Sequence, residues 1–168
     1  MPIIFWDASG LVKRYYSEAG SETVDAIFQA ASHSDMQVTL WGYAESFAIL
    51  HRKRNAGSLA SADFTQAATK LQDEVLVSGR FGLLTIKDDR VLSGLSFVVR
   101  HNLNSNDAAI LATYLRFQQS LPLGSPPCFL VASDQRPLRA TEAEGLETLN
   151  PERINTQEIA VRLAGGAA

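Results

Sequence analysis

The sequence predicts an α/β fold, with a central, mostly parallel sheet of about four or five strands flanked by helices. Three observations carry that expectation. Short apolar runs with no helical period recur at 2–6, 38–41, 83–86 and 128–132, the pattern of strands buried on both faces. Longer stretches with apolar side chains at helical spacing lie between them. Strands separated by helices in this way pair in parallel through crossovers. Residues 1–149 are expected to form the folded domain and 150–168 a peripheral C-terminal extension, frayed over 165–168.

Each element has a local justification. Residues 2–6 are Pro-Ile-Ile-Phe-Trp, followed closely by Gly10, and read as a buried strand. Helices are expected over 10–17 and 21–32, the second N-capped by Ser21 with Val24, Ile27 and Phe28 on one face. After the strand at 38–41, a helix over 43–54 should turn Ala44, Phe47, Ala48 and Leu50 inward, and Asn-Ala-Gly-Ser at 55–58 should stop it. A helix over 60–77 should bury Phe64, Ala67, Ala68 and Leu71. The strand at 83–86 leads to a helix opened by Asp88 and Asp89 and running to about His101. Residues 104–106 cap a helix over 107–119, with Ile110, Leu111, Tyr114 and Leu115 inward. Residues 120–127 hold three prolines and a glycine and read as a loop. The strand at 128–132 and a helix over 135–144 follow, ended by Gly145, and 146–149 is expected as an edge strand.

Composition excludes several classes. Hydrophobic residues make up 46% and charged residues 20%, enough apolar material for a packed core. The net charge of −3 argues against a purely electrostatic nucleic-acid binder. No apolar run approaches a membrane span of about 20 residues, and the N-terminus lacks a charged signal start, so no membrane association and a cytoplasmic location are expected. The single cysteine, Cys128, cannot form an intramolecular disulfide and argues against a thiolate zinc site. His33, His51 and His101 show no metal-type spacing and read as structural.

Among the acids, position selects. Most fit solvated helix faces. Asp7 ends the first strand, and Asp134 follows the strand at 128–132. Asp107 sits in the first turn of its helix, where an acid beside the helix dipole is the plainer reading. Glu45 lies amid Trp41, Tyr43, Phe47 and Ala48, where a carboxylate needs a partner. In a parallel α/β sheet all four can converge at the carboxyl edge. Such carboxylates repel, and a proton or a hard divalent cation relieves them.

These residues resemble a known family. Ile3 to Tyr15, with Asp7-Ala8-Ser9-Gly10-Leu11-Val12-Lys13-Arg14-Tyr15 at its centre, resembles the first motif of PIN-domain ribonucleases, in the form found in VapC toxins of toxin–antitoxin pairs. Trp41-Gly42-Tyr43-Ala44-Glu45-Ser46 resembles the second motif and Asn106-Asp107-Ala108-Ala109-Ile110-Leu111-Ala112-Thr113 the third. Leu130-Val131-Ala132-Ser133-Asp134-Gln135-Arg136 resembles the fourth, with Ala-Ser-Asp where Thr-x-Asp or Thr-Asp is commoner. The likeness spans about 3–149, and the segments 116–127 and 150–168 are longer than the family pattern.

The resemblance implies a PIN-like domain that hydrolyses RNA phosphodiesters with Mg²⁺ or Mn²⁺. Asp7, Glu45, Asp107 and Asp134 would be the catalytic, metal-holding residues, some through water. Ser9 would orient Asp7 or a metal-bound water, or cap the helix that follows it, and Ser133 has the same two readings. Lys13, Arg14, Arg52, Arg54 and Arg136 are candidate RNA contacts, with His51, Lys53 and Arg139 beside them. The run at 51–54 also reads as a solvated helix end. Trp6, Trp41 and Tyr43 could stack bases, although core packing is the plainer role. The resemblance further implies a cognate antitoxin and a homodimer. A haloacid-dehalogenase-type phosphatase needs a second Asp where Ser9 stands, and a Rossmann module needs a glycine-rich first turn. The serious alternative is a catalytically silent PIN-like scaffold that acts by binding protein.

Overall fold

The computed structural model describes residues 2–32 and 35–164. The first strand, β1 (Ile3–Trp6), runs into a one-turn helix α1 (Ala8–Leu11), a 3₁₀ turn (Val12–Arg14) and α2 (Ser21–Ala30). Then come β2 (Met36–Thr39), α3 (Leu40–Asn55) and α4 (Ser61–Gln72), which continues into a π-turn (Asp73–Val77). The chain goes on through β3 (Phe81–Leu84), α5 (Asp88–His101), α6 (Ser105–Ser120), β4 (Cys128–Val131), α7 (Gln135–Ala143), β5 (Glu147–Leu149) and α8 (Thr156–Ala164).

The sheet has five strands in the order β3-β2-β1-β4-β5, and every pair is parallel. Alternation along β1 splits the core. Ile4 and Trp6 face a layer with Leu11, Ile27, Phe28, Leu50 and Leu71, while Phe5 faces Ile110, Leu111, Tyr114 and Leu138. Trp6 pairs with Val38 on one side and with Val131 on the other. This register brings the carboxyl ends of the three middle strands level, so the segments that follow them leave from one edge.

Close packing fixes α1 on that edge. A Cβ on Gly10 would sit 2.6 Å from the Val131 carbonyl oxygen, so only glycine lets α1 lie directly on the end of β4. Helix α6 is tied to the same edge by the buried Tyr114, whose hydroxyl donates to the Trp6 carbonyl at 2.6 Å and whose ring stacks on Phe5 with centroids 4.5 Å apart.

Several element boundaries differ from expectation. Strand β2 begins and ends two residues before 38–41, because Thr39 caps α3 by accepting the Gly42 amide at 2.9 Å. Leu40 and Trp41 therefore open a helix and do not close a strand. The buried side of α3 is Gly42, Ser46 and Leu50, whereas Ala44 and Phe47 are exposed. Ser46 enters the core because its hydroxyl donates to the Gly42 carbonyl at 2.8 Å. Strand β3 likewise lies ahead of 83–86. Gly20, at φ +87°, takes the N-cap position assigned to Ser21, whose hydroxyl instead donates to the Lys13 carbonyl. The segment expected as a peripheral extension contributes α8, which buries Ile159 and Leu163 in the core layer that faces Trp6. Residues 165–168 and His33 lie outside the described residues.

Candidate metal centre

Four short sequence decisions bring four carboxylates to the carboxyl edge. Asp7 is the residue immediately after β1 and N-caps α1. Asp134 N-caps α7, accepting the Arg136 amide at 3.0 Å. Glu45 lies on the second turn of α3, four residues after Trp41. Asp107 lies in the first turn of α6. Seven residues separate it from Tyr114, so helical spacing places it on the Tyr114 face, at the end nearest the sheet edge.

Ser9 connects two of the four. Its amide and hydroxyl both donate to Asp7 Oδ2, at 2.9 and 2.5 Å. Its oxygen in turn accepts the amides of Ser133 and Asp134, at 2.9 and 3.2 Å. Of the two roles open to Ser9, the structure assigns it the fixing of Asp7, and Asp7 is itself the cap. The Ser133 hydroxyl is buried without a hydrogen-bond partner among the described residues.

Two asparagines of the segment expected to cap α6 also serve the acids. Asn104 receives the Asp107 amide on its Oδ1 and donates from Nδ2 to Asp107 Oδ2, both at 2.8 Å. Asn106 Nδ2 reaches across from α6 to Glu45 Oε2 at 3.4 Å. The signal was present in the sequence as Asn-Ser-Asn-Asp at the start of α6.

The electrostatics follow from this crowding. Burial raises the Asp7 carboxyl above its ordinary range, and Asp134 adds to the rise against the hydrogen bonds from Ser9. Burial and the neighbouring Asp7 raise Glu45, while Arg52 pulls it back. Asp107 is pushed up to about 6 by burial and by Asp7, Glu45 and Asp134, with Arg136 opposing. None of the four acids belongs to an ion pair among the described residues.

The donors fit a hard divalent cation in their chemistry: oxygen ligands, mutual repulsion, no ion pair among the described residues and an orphaned hydroxyl beside them. Among the described residues, no group of three or more His, Cys, Asp or Glu side chains could hold an ion as it stands.

The candidate RNA contacts divide. Arg52 and Arg136 are exposed and flank the acids. Lys13 and Arg14 are not available. Lys13 is 4% exposed and paired with Glu18 and Glu152, at 3.0 and 2.7 Å. Arg14 is paired with Asp25 and Glu74, at 2.6 and 2.9 Å. Arg54 lies over the Phe64 ring and bonds to His51, and Lys53 pairs with Glu18. Trp6 is fully buried in the core, but Trp41 is 59% exposed, contrary to the core role read for it.

No protein-family model matches the chain, and none of the curated proteins matches it. Solved structures do. PAE2754 from Pyrobaculum aerophilum is 18% identical with a TM-score of 0.61, covering 98% of this chain and 96% of its own. VapC20 of Mycobacterium tuberculosis, a sarcin-ricin loop cleaving toxin, is 17% identical with a TM-score of 0.61 over 85% of this chain and 95% of its own. A toxin–antitoxin complex from Klebsiella pneumoniae is 12% identical with a TM-score of 0.57 over 90% of this chain and 99% of its own. The five parallel strands, the helices on both faces and these likenesses agree: the chain has the fold of a VapC-like PIN domain.

Proposed function

We propose that the chain is a metal-dependent endoribonuclease that hydrolyses RNA phosphodiester bonds with an activated water, and that it is the toxin of a toxin–antitoxin pair. One observation carries the nuclease reading. Asp7, Glu45, Asp107 and Asp134 come from four separate segments, meet at the carboxyl edge of a parallel sheet and form no ion pair among the described residues. An acidic cluster that is never neutralised only destabilises the fold. The toxin role draws support from the shared fold with VapC20 and with the Klebsiella complex, which also supports an antitoxin as partner. The homodimer rests on the family resemblance.

Mg²⁺ or Mn²⁺ would be held by the four acids, some through water. Bound there, such a cation neutralises phosphodiester charge and lowers the pKa of a bound water toward about 7. The chain's own residues position these ligands. Ser9 holds Asp7 by Oδ2, and Asn104 grips Asp107 at both its amide and its carboxylate. Arg52 and Arg136 stand beside the acids, where they can meet the phosphates flanking the scissile bond.

The test is cleavage of a panel of structured and single-stranded RNAs with Mg²⁺, with Mn²⁺ and with EDTA, run beside Asp7→Asn. Cutting that needs metal and disappears in the variant is expected. Metal-dependent cutting retained by Asp7→Asn contradicts the site. The scaffold reading is favoured by one observation, the absence of a ready-made metal cage among the described residues. It predicts no stabilisation by Mn²⁺.

A further inference from the structure

We infer that the cleft between α3, α5 and α6, beside the acid cluster, is a nucleobase subsite in which Trp41 is the stacking platform and Asn106 reads the base edge. The inference rests on the RNA-hydrolysis reading and deepens it.

The cleft is a cavity of about 540 Å³ with mostly apolar walls. Trp41 supplies one of these walls, Ala48 adds a small side chain from the same helix, and Ile86 and Val91 complete the apolar lining. Its polar side chains are those of Glu45, Ser105 and Asn106. Flat apolar walls with a few fixed polar groups are what an unstacked base requires.

Trp41 is in the right place for this role. It opens α3 four residues before Glu45, so the two share a helix face. The chain has two tryptophans, and the other, Trp6, is fully buried. Asn106 is oriented by its donation to Glu45. That bond uses one of its two N–H groups, which leaves the second N–H and the amide oxygen as the donor–acceptor pair that a base edge matches. A base held here would be attached to a backbone passing Glu45, with Arg52 close enough to meet its phosphate.

A second copy of the chain is the competing occupant, and Glu45 argues against it. An apolar partner seated in the cleft would strip water from a carboxylate that has no ion-pair partner among the described residues, which is unfavourable. A nucleotide keeps polar groups and its own backbone hydration in the cleft.

The experiment uses the full-length Asp7→Asn protein, so that RNA is bound without being cut. Short single-stranded RNAs and the same oligonucleotides carrying one abasic position are titrated, with indole emission and fluorescence anisotropy as readouts. Saturable quenching by the intact RNAs is expected, with weaker quenching by an abasic one. Adding Trp41→Ala should remove the quenching and weaken binding about 5- to 150-fold, the range that one base–aromatic stack supplies. Trp41→Phe should recover part of the affinity, and Asn106→Ala in the cutting protein should change the preferred base at the cleavage site. Unchanged binding and unchanged cleavage preference in Trp41→Ala would overturn the subsite and leave the nuclease standing. Loss of affinity accompanied by conversion of a dimer to a monomer in sedimentation would give the cleft to a second copy and also overturn it. A protein that neither binds nor cuts any RNA would remove the nuclease reading and this inference together.

Discussion

Two groups of carboxylates in this molecule are treated in opposite ways. Glu18 is paired: Lys53 reaches it at 2.7 Å and Lys13 at 3.0 Å. Burial opposes ionisation there, yet those hydrogen bonds hold its pKa below the ordinary range. Glu144 is held down in the same way, against burial, by His101 and Arg100. At the sheet edge the reverse holds, and Asp7, Glu45 and Asp107 are all raised, first by burial and then by one another. The chain has 15 Lys and Arg for 18 acids, so cations were at hand to pair most of them. The cations nearest the edge, Arg52 and Arg136, are exposed and form no ion pair with its acids among the described residues. The difference teaches that Glu18 and Glu144 are neutralised by the chain's own cations, whereas the edge carries repulsion that no ion pair among the described residues relieves, which is what the proposed cation would do.

The largest expected effect is on chemistry. Asp7→Asn should lower metal-dependent RNA cleavage by at least about a hundredfold, the scale lost when one electrostatic contributor to a transition state is removed. Circular dichroism should show the fold intact, and melting in EDTA should be unchanged or higher, since one repelling charge is gone.

Breaking the other side of the comparison should leave chemistry and lose stability. Lys13→Ala takes from Glu152 its one ion-pair cation among the described residues and leaves Glu18 with Lys53 alone, and it should cost on the order of 2 kcal/mol in urea unfolding, less than a fully buried pair because both acids keep some water. Cleavage per folded molecule should be preserved. A selective loss of cleavage would return Lys13 to the RNA contacts.

Acidity separates the two groups by sign. The Asp107 pKa in the folded chain is raised from 3.8 to about 6, so the folded state holds a proton that the unfolded chain releases. Metal-free protein should therefore gain stability from this carboxyl as pH falls from 7 toward 5. Glu18 is depressed below its ordinary 4.5, so its contribution is present above that pH and is lost as pH falls through the folded value. Melting in EDTA should rise modestly from pH 7 to about 5 and then fall below about 4. A monotonic fall across that range would deny the crowding at the edge.

Much of the fold was legible because β1 and β4 are apolar runs with an acid just beyond their ends, and because Asp107 starts a helix with a clear apolar stripe. The start of α3 was not legible. Leu40 and Trp41 look like the end of a strand, and only the Thr39 cap on Gly42 turns them into a helix. The fates of Lys13 and Arg14 were also hidden. One partner of each, Glu152 and Glu74, lies 139 and 60 residues along the chain, a distance over which local pattern carries no information. The place of Trp41 was hidden with the start of α3, since a helix beginning at Leu40 puts its indole in the cleft.

The central claim, that the unpaired edge is a cation site, is tested most directly by the melting temperature of the protein as Mn²⁺ is titrated. Wild type, Asp7→Asn and Lys13→Ala would be compared at neutral pH. A saturable rise is predicted, corresponding to about 2.7 kcal/mol at a hundred times the dissociation constant. It should be lost in Asp7→Asn and kept by Lys13→Ala from a lower baseline. No rise in wild type, or an equal rise in Asp7→Asn, would contradict the account.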